Sequence, residues 1–295
     1  MNYRHAFHAG NFADVVKHAT LARVIARLKE KPAAFRMIDT HAGLGLYDLT
    51  GPEASRTGEW RAGIGKLRAA KLDPAVRELL APYLDAIAAL NPDGKLATYP
   101  GSPVLAQRWL RTQDRLVCCE LVPQAAEALQ AQTRRDARVK VVEIDGYTAL
   151  NAYVPPKERR GLVLVDPPFE TPDEFERLAE ALAGAHRKWP TGIYMLWYPL
   201  KDTRETERFA RRLQALAIPR ILRAELTMAR AGSSERLAGS SERLAGSSER
   251  LAGSGLIVIN PPWRLDDELA VLLPALATAL AADGRARIDW LALEK

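Results

Sequence analysis

The chain holds only two cysteines in 295 residues, and they are neighbours, Cys118 and Cys119. Adjacent positions of a predicted strand point to opposite faces, so no structural disulfide is expected, and a reducing compartment fits. No stretch approaches the roughly 18 apolar residues of a membrane span. The start, Met1-Asn-Tyr-Arg-His-Ala, also lacks the apolar core of a secretion signal. A cytoplasmic protein with no membrane partner is expected. Common nucleotide signatures are missing too. No Walker lysine follows the first glycine turn, and Asp48 stands where Gly-x-Gly-x-x-Gly would place its third glycine. Without spaced cysteines, His5, His8 and His18 make a poor zinc set, and no metal is expected.

What is present is an ordinary globular composition, 47% hydrophobic and 26% charged. The net charge of +6 favours a polyanionic partner, though charge alone selects none. At this length one large domain, 1–295, can bury its own core. Asn11 can cap a first helix on which Phe12, Val15, Val16, Ala22, Ile25 and Leu28 recur at helical spacing, with Lys17 and His18 on the same element. Ala34 to Ile38 reads as a first strand, ending in Asp39 and a turn with Gly43 and Gly45. Residues 51–110 read as an inserted helical subdomain between core segments 1–50 and 111–295. It includes a short helix over Glu59–Ala69 and a longer one beginning at Pro74. Ser102 reads as the cap of the helix that closes this block.

Strands and helices then alternate. Leu116–Glu120, Val139–Asp145, Gly161–Val165, Gly192–Tyr198, Ile221–Met228 and Gly255–Ile259 follow as the second to seventh strands, and a last one lies around Ile288–Leu293. Thr171-Pro-Asp-Glu174 reads as a helix start with a capping-box pair. Between the sixth and seventh strands, Gly-Ser-Ser-Glu-Arg-Leu-Ala repeats from Gly232, Gly239 and Gly246. Glycine and serine at that density disfavour a coiled coil, so 231–254 is expected to be a flexible loop. The fold expected is α/β, a Rossmann-like, doubly wound, mostly parallel seven-strand sheet.

Acids close four successive strands: Asp39, Glu120, Asp145 and Asp166. In such a sheet these ends share one edge, where ligands bind. An acid after the second strand can take ribose hydroxyls, and one after the third an adenine amine. That set suits S-adenosylmethionine better than a dinucleotide. Asp166-Pro167-Pro168-Phe169 supplies a stiff acceptor loop, because two prolines cannot extend the strand. An aromatic amine is a weak nucleophile, so Asp166 can accept its N–H bonds while Phe169 stacks on the ring. Asn260-Pro-Pro-Trp263 is a rival loop, and strand order favours Asp166, since the seventh strand lies further toward the edge of the sheet.

Several stretches together resemble the bacterial 23S ribosomal-RNA adenine-N6 methyltransferase family called RlmJ. They include Tyr3-Arg-His-Ala-Phe-His-Ala-Gly-Asn11, Asp14 with Lys17-His18, Asp39-Thr-His-Ala-Gly43, Arg56-Thr-Gly-Glu59 and Tyr99-Pro-Gly-Ser-Pro103. Arg160-Gly-Leu-Val-Leu-Val-Asp-Pro-Pro168, Thr191-Gly-Ile-Tyr-Met-Leu-Trp-Tyr-Pro199 and Ile257-Val-Ile-Asn-Pro-Pro-Trp263 complete the set. The resemblance implies a class I S-adenosylmethionine-dependent methyltransferase, monomeric, acting on adenine 2030 in the usual numbering of 23S rRNA. It implies cofactor contacts at Lys17, His18, His41, Gly43, Ser102, Glu120, Asp145, Gly146 and Asp166. Asp166, Pro167 and Phe169 would form the catalytic loop, and Tyr3 and Arg4 would touch RNA. It turns Ser102 and the N-terminal histidines from structural residues into site residues. Phe169 departs from the family's usual tyrosine, keeping the ring and losing a hydroxyl, and the heptad repeat has no family counterpart.

A flipped base is needed for such chemistry, which favours naked rRNA or an assembly intermediate as substrate. Arg4, Lys157, Arg159 and Arg160 could follow phosphates or be solvated surface charge. The competing readings are a DNA adenine-N6 methyltransferase and a non-catalytic RNA-binding assembly factor on the same scaffold.

Overall fold

The computed structural model describes residues 4–228 and 251–293. Tyr3 and the heptad repeat, up to residue 250, lie outside the described residues. The strands are β1 (Arg36–Asp39), β2 (Leu46–Asp48), β3 (Thr98–Pro100), β4 (Arg115–Glu120), β5 (Val139–Glu143), β6 (Gly161–Val165), β7 (Ile193–Leu200), β8 (Ile221–Thr227), β9 (Gly253–Ile259) and β10 (Arg285–Ala292). The helices are α1 (Phe12–Lys29), α2 (Pro52–Thr57), α3 (Lys66–Ala69), α4 (Pro74–Ala88), α5 (Ser102–Trp109), α6 (Pro123–Thr133), α7 (Gly146–Tyr153), α8 (Glu174–Lys188), α9 (Thr203–Ala215) and α10 (Leu265–Leu280).

Among the described residues, eight strands make one sheet in the order β10-β8-β9-β7-β6-β1-β4-β5, and β2 pairs with β3 in a small ribbon. The sheet thus has eight strands rather than seven. The eighth is β10, at the last strand expected around Ile288–Leu293; it pairs antiparallel along the outer side of β8 and covers that edge. From β5 to β7 every pairing is parallel, whereas β9 runs antiparallel to both β7 and β8.

Strand β6 is buried along its whole length. Its alternate residues feed two cores: Leu162 and Leu164 pack on one face, Val163 and Val165 on the other. Each such side chain contributes roughly 1.5–3 kcal/mol of burial, which fixes the register and hence the position of Asp166. Cys118 and Cys119 divide between the same two cores and are free thiols. Helices α7, α8 and α9 cover one face, and α1, α4, α5 and α10 the other.

Helix α1 begins as the sequence suggests, with Asn11 Oδ1 accepting from Asp14 N at 3.0 Å. The block from α2 to α5 packs Ile64, Leu67, Leu80, Tyr83 and Ile87 into the core that α1 and the sheet share. The helix expected over Glu59–Ala69 is broken. Gly63 kinks the chain at φ −99°, ψ −108°, and joins a π-helical turn, Arg61–Gly65, to α3. A Cβ at Gly63 would lie 2.2 Å from the Gly10 carbonyl oxygen, so only glycine lets this turn press on the start of α1. Helix α8 begins at Glu174, three residues after Thr171, whose Oγ1 donates to Glu174 Oε2 at 3.0 Å while Tyr147 OH donates to Glu174 Oε1 at 2.6 Å.

Candidate active site

The carboxyl ends of β1, β4, β5 and β6 sit side by side, as parallel pairing demands. Thr40 N donates to Leu164 O at 3.0 Å, which holds the turn after β1 against the end of β6. Asp166 emerges just beyond that bond.

Asp166 is met by α1. Lys17 Nζ donates to Asp166 Oδ2 at 2.5 Å and lies 2.8 Å from Asp14 Oδ1, and the Lys17 and Asp14 side chains are 5% and 1% exposed. Burial opposes the Lys17 charge, but the carboxylates of Asp14 and Asp166 outweigh it and hold the ammonium well above the ordinary lysine value. Asp14 is kept ionised in turn, against burial, by His5 and Lys17. Its Oδ2 also takes Gly10 N at 2.9 Å and His5 Nε2 at 3.0 Å. Asp14 was not among the residues expected at the site. The signal was available, since Asp14, Lys17 and His18 stand at i, i+3 and i+4 and share one helix face with the core residues.

His18 Nδ1 bonds Tyr99 OH at 2.8 Å, and Tyr99 OH bonds Tyr83 OH at 2.8 Å. Burial pushes the His18 pKa down to about 3, so the ring is neutral. Its Nε2 is buried with no hydrogen-bond partner among the described residues. Ser102 does not cap α5; Gly101 occupies that position without a side-chain bond. Instead Ser102, the first residue of the helix, donates through Oγ to the fully buried Asp39 Oδ2 at 2.6 Å. Burial raises the Asp39 pKa to about 7, opposed by the Ser102 bond, and Asp39 Oδ1 has no partner among the described residues.

Glu120 spends its oxygens on the glycine turn: Oε2 accepts from Gly43 N at 2.7 Å and Oε1 from Val122 N at 2.8 Å. Gly43 and Gly45 adopt φ of 66° and 84°, the left-handed region that glycine enters without strain. Asp145 caps α7, its Oδ1 accepting from Thr148 N at 2.9 Å. Gly146 opens that helix under His41; a Cβ there would come within 2.5 Å of both His41 Cε1 and Thr40 O. His41 itself bonds Thr40 Oγ1 through Nδ1 at 2.8 Å and lies edge-on to Tyr147. Lys17, His18, His41, Gly43, Ser102, Glu120, Asp145, Gly146 and Asp166 therefore all belong to one edge of the sheet.

Phe169 is held at φ 50°, in the left-handed region, with its ring edge-on to Phe175 at 4.9 Å and to Trp197 at 5.8 Å. Pro167 is buried beside it. Arg4 is exposed and pairs with Glu53 at 2.8 Å, tying the N-terminal segment to α2. The three N-terminal histidines take different partners: His5 bonds Asp14, His8 bonds Glu59 and His18 bonds Tyr99. The rival loop is displaced more than its strand position suggested. Because β9 is antiparallel, Ile259 pairs with Tyr194 at the start of β7, so Asn260 leaves from the opposite edge of the sheet. Its side-chain amide donates to Pro190 O at 2.7 Å and Gly192 O at 2.8 Å.

Strand order, the alternation of helices on both faces and the row of strand-end acids define a Rossmann-like methyltransferase. A family model described as ribosomal RNA large subunit methyltransferase D, RlmJ, matches residues 32–292. Two relatives are each called ribosomal RNA large subunit methyltransferase J. The one from Escherichia coli K12 is 38% identical and the one from Haemophilus influenzae 37%, with all of both chains covered in each case. The crystal structure of a Legionella pneumophila protein superposes with a TM-score of 0.83 at 34% identity, covering 96% of this chain and 98% of the other. The chain belongs to the RlmJ family.

Proposed function

We propose that the protein transfers a methyl group from S-adenosylmethionine to the N6 amine of an adenine in 23S rRNA. Adenine 2030 is the expected target, on naked RNA or an assembly intermediate. The observation that carries this reading is the Lys17–Asp166 pair at the mouth of the Asp-Pro-Pro-Phe loop. It presents an oriented carboxyl acceptor in a stiff loop, which is what a weakly nucleophilic aromatic amine requires.

The residues present suit that cofactor. His18 Nε2 and Asp39 Oδ1 are buried polar atoms in want of partners, and the floor at Gly146 has no room for a side chain. Glu120 retains lone pairs beyond its two backbone bonds and would take ribose hydroxyls. Asp145 would accept from the adenine amine, and Gly43 and His41 would line the same wall. Bound there, the cofactor supplies an electrophilic methyl group. Asp166 would accept an N–H bond from the substrate amine, orient its lone pair for the transfer and take up the proton released. Lys17 holds the carboxylate in place through their hydrogen bond. Phe169, fixed by Phe175 and Trp197, limits how the base can lie. Such proton handling is typically worth about 10²–10⁴-fold, and orientation can contribute about 7–11 kcal/mol.

Nucleoside mass spectrometry of 23S rRNA from cells with and without the gene tests the assignment. One 6-methyladenine should vanish on deletion and return on complementation. Unchanged rRNA with altered 6-methyladenine in DNA would sink it.

A further inference from the structure

The five parallel strands β7, β6, β1, β4 and β5 all begin at the edge opposite Asp166. The segments leading into them, 29–36, 111–115, 134–138, 157–160 and 187–188, hold thirteen lysines and arginines against four acids. The catalytic edge is the reverse, since its strands end in Asp39, Glu120, Asp145 and Asp166. A site lined by acids attracts no phosphate backbone, so affinity for a polyanion has to be supplied elsewhere.

The charge on the far edge is also available. Lys31, Arg135, Lys157 and Arg187 enter four different strands, and all are exposed. None has a carboxylate partner within 4 Å among the described residues. Arg111 and Arg160 converge between them, donating to the same carbonyl, Ala33 O, at 3.0 Å and 2.8 Å. Burial and the nearby Arg111 press the Arg160 pKa down, against the pull of Asp114. Strands spaced about 4.8 Å apart make this row roughly 19 Å wide, set back from Asp166 by at least the length of β6, roughly 17 Å.

We propose that this edge is a second RNA-binding surface, gripping phosphates of rRNA helices that flank the target while the base enters the opposite edge. The proposal rests on RNA being the substrate. It makes long RNA a better ligand than a minimal hairpin, with the difference supplied by counterion release.

The test uses the full chain carrying Lys31→Gln, Arg135→Gln, Lys157→Gln and Arg187→Gln together. A second variant, Lys71→Gln, Arg77→Gln, Lys95→Gln and Arg211→Gln, removes the same charge from other exposed positions. Binding of a long 23S rRNA transcript and of a short hairpin containing the target is followed across a KCl series, with thermal unfolding as the folding control. The first variant should bind the transcript about tenfold more weakly, with a log K versus log salt slope shallower by about three. It should keep wild-type kcat/KM on the hairpin, and the second variant should match wild type on both RNAs. An unchanged slope in the first variant, or an equal loss in the second, overturns the proposal. Binding needs no turnover, so failure of the wild type to methylate either RNA would strike the methyltransferase reading and leave this surface judged by its salt slope.

Discussion

Lys17 and Asp166, 149 residues apart, meet at 2.5 Å through side chains that are 5% and 14% exposed. The pair joins the first helix to the end of β6, and Asp14 completes it from the other side at 2.8 Å. Two carboxylates, buried Asp14 and partly buried Asp166, share one ammonium, so the cation organises the acceptor loop.

Lys17→Met should therefore damage both stability and chemistry. Removing one member of a buried charge network leaves the others uncompensated, typically at about 3–5 kcal/mol. Methyl transfer should fall by on the order of 10²-fold or more in single-turnover assays below the melting transition. A wild-type rate in that assay would remove Lys17 from the site.

Asp39 gives a pH signature. Its folded pKa is about 7 against 3.8 for the unfolded chain. The protonated acid is the form that folding favours, so its contribution is complete below pH 4. It fades as pH rises and is gone above about pH 7, a change of at most about 4 kcal/mol. Asp39→Asn should flatten this decline and make the protein more stable than wild type at pH 8. Urea unfolding across pH checks it, and a parallel decline in the variant would contradict it.

Gly146→Ala places a methyl 2.5 Å from the Thr40 carbonyl oxygen, which is backbone and cannot swing away. Overpacking of this kind costs roughly 1–3 kcal/mol. Calorimetry should show S-adenosylmethionine binding weakened about tenfold or more. Unaltered affinity would mean that this floor does not touch the cofactor.

Much of this was legible in the chain itself. The apolar run of β6 ending at Asp166-Pro-Pro, the glycine turn and the acids after three other strands each have a local cause, and local causes can be read. What escaped depends on distant partners. Ser102 looked like a helix cap because its nearest sequence neighbours are a helix, while its bond runs to Asp39, 63 residues away. The direction of β9 could not be inferred from Gly255–Ile259, since a buried apolar strand looks alike in either orientation. Strand order favoured Asp166 over Asn260, and the antiparallel turn supplied the stronger reason. Asp14 was passed over because a buried acid in a first helical turn looks like an ordinary helix-dipole residue.

Single-turnover methylation of a 23S rRNA transcript by Asp166→Asn, set beside Asn260→Ala, tests the central claim most directly. Asparagine keeps the shape and one acceptor oxygen but not the charge that pairs with Lys17. The rate with Asp166→Asn should fall by about 10²-fold or more, with S-adenosylmethionine affinity within a few-fold of wild type. Asn260→Ala should turn over normally wherever it remains folded. Full activity in Asp166→Asn together with loss in folded Asn260→Ala would move the chemistry to the other edge of the sheet and contradict the account.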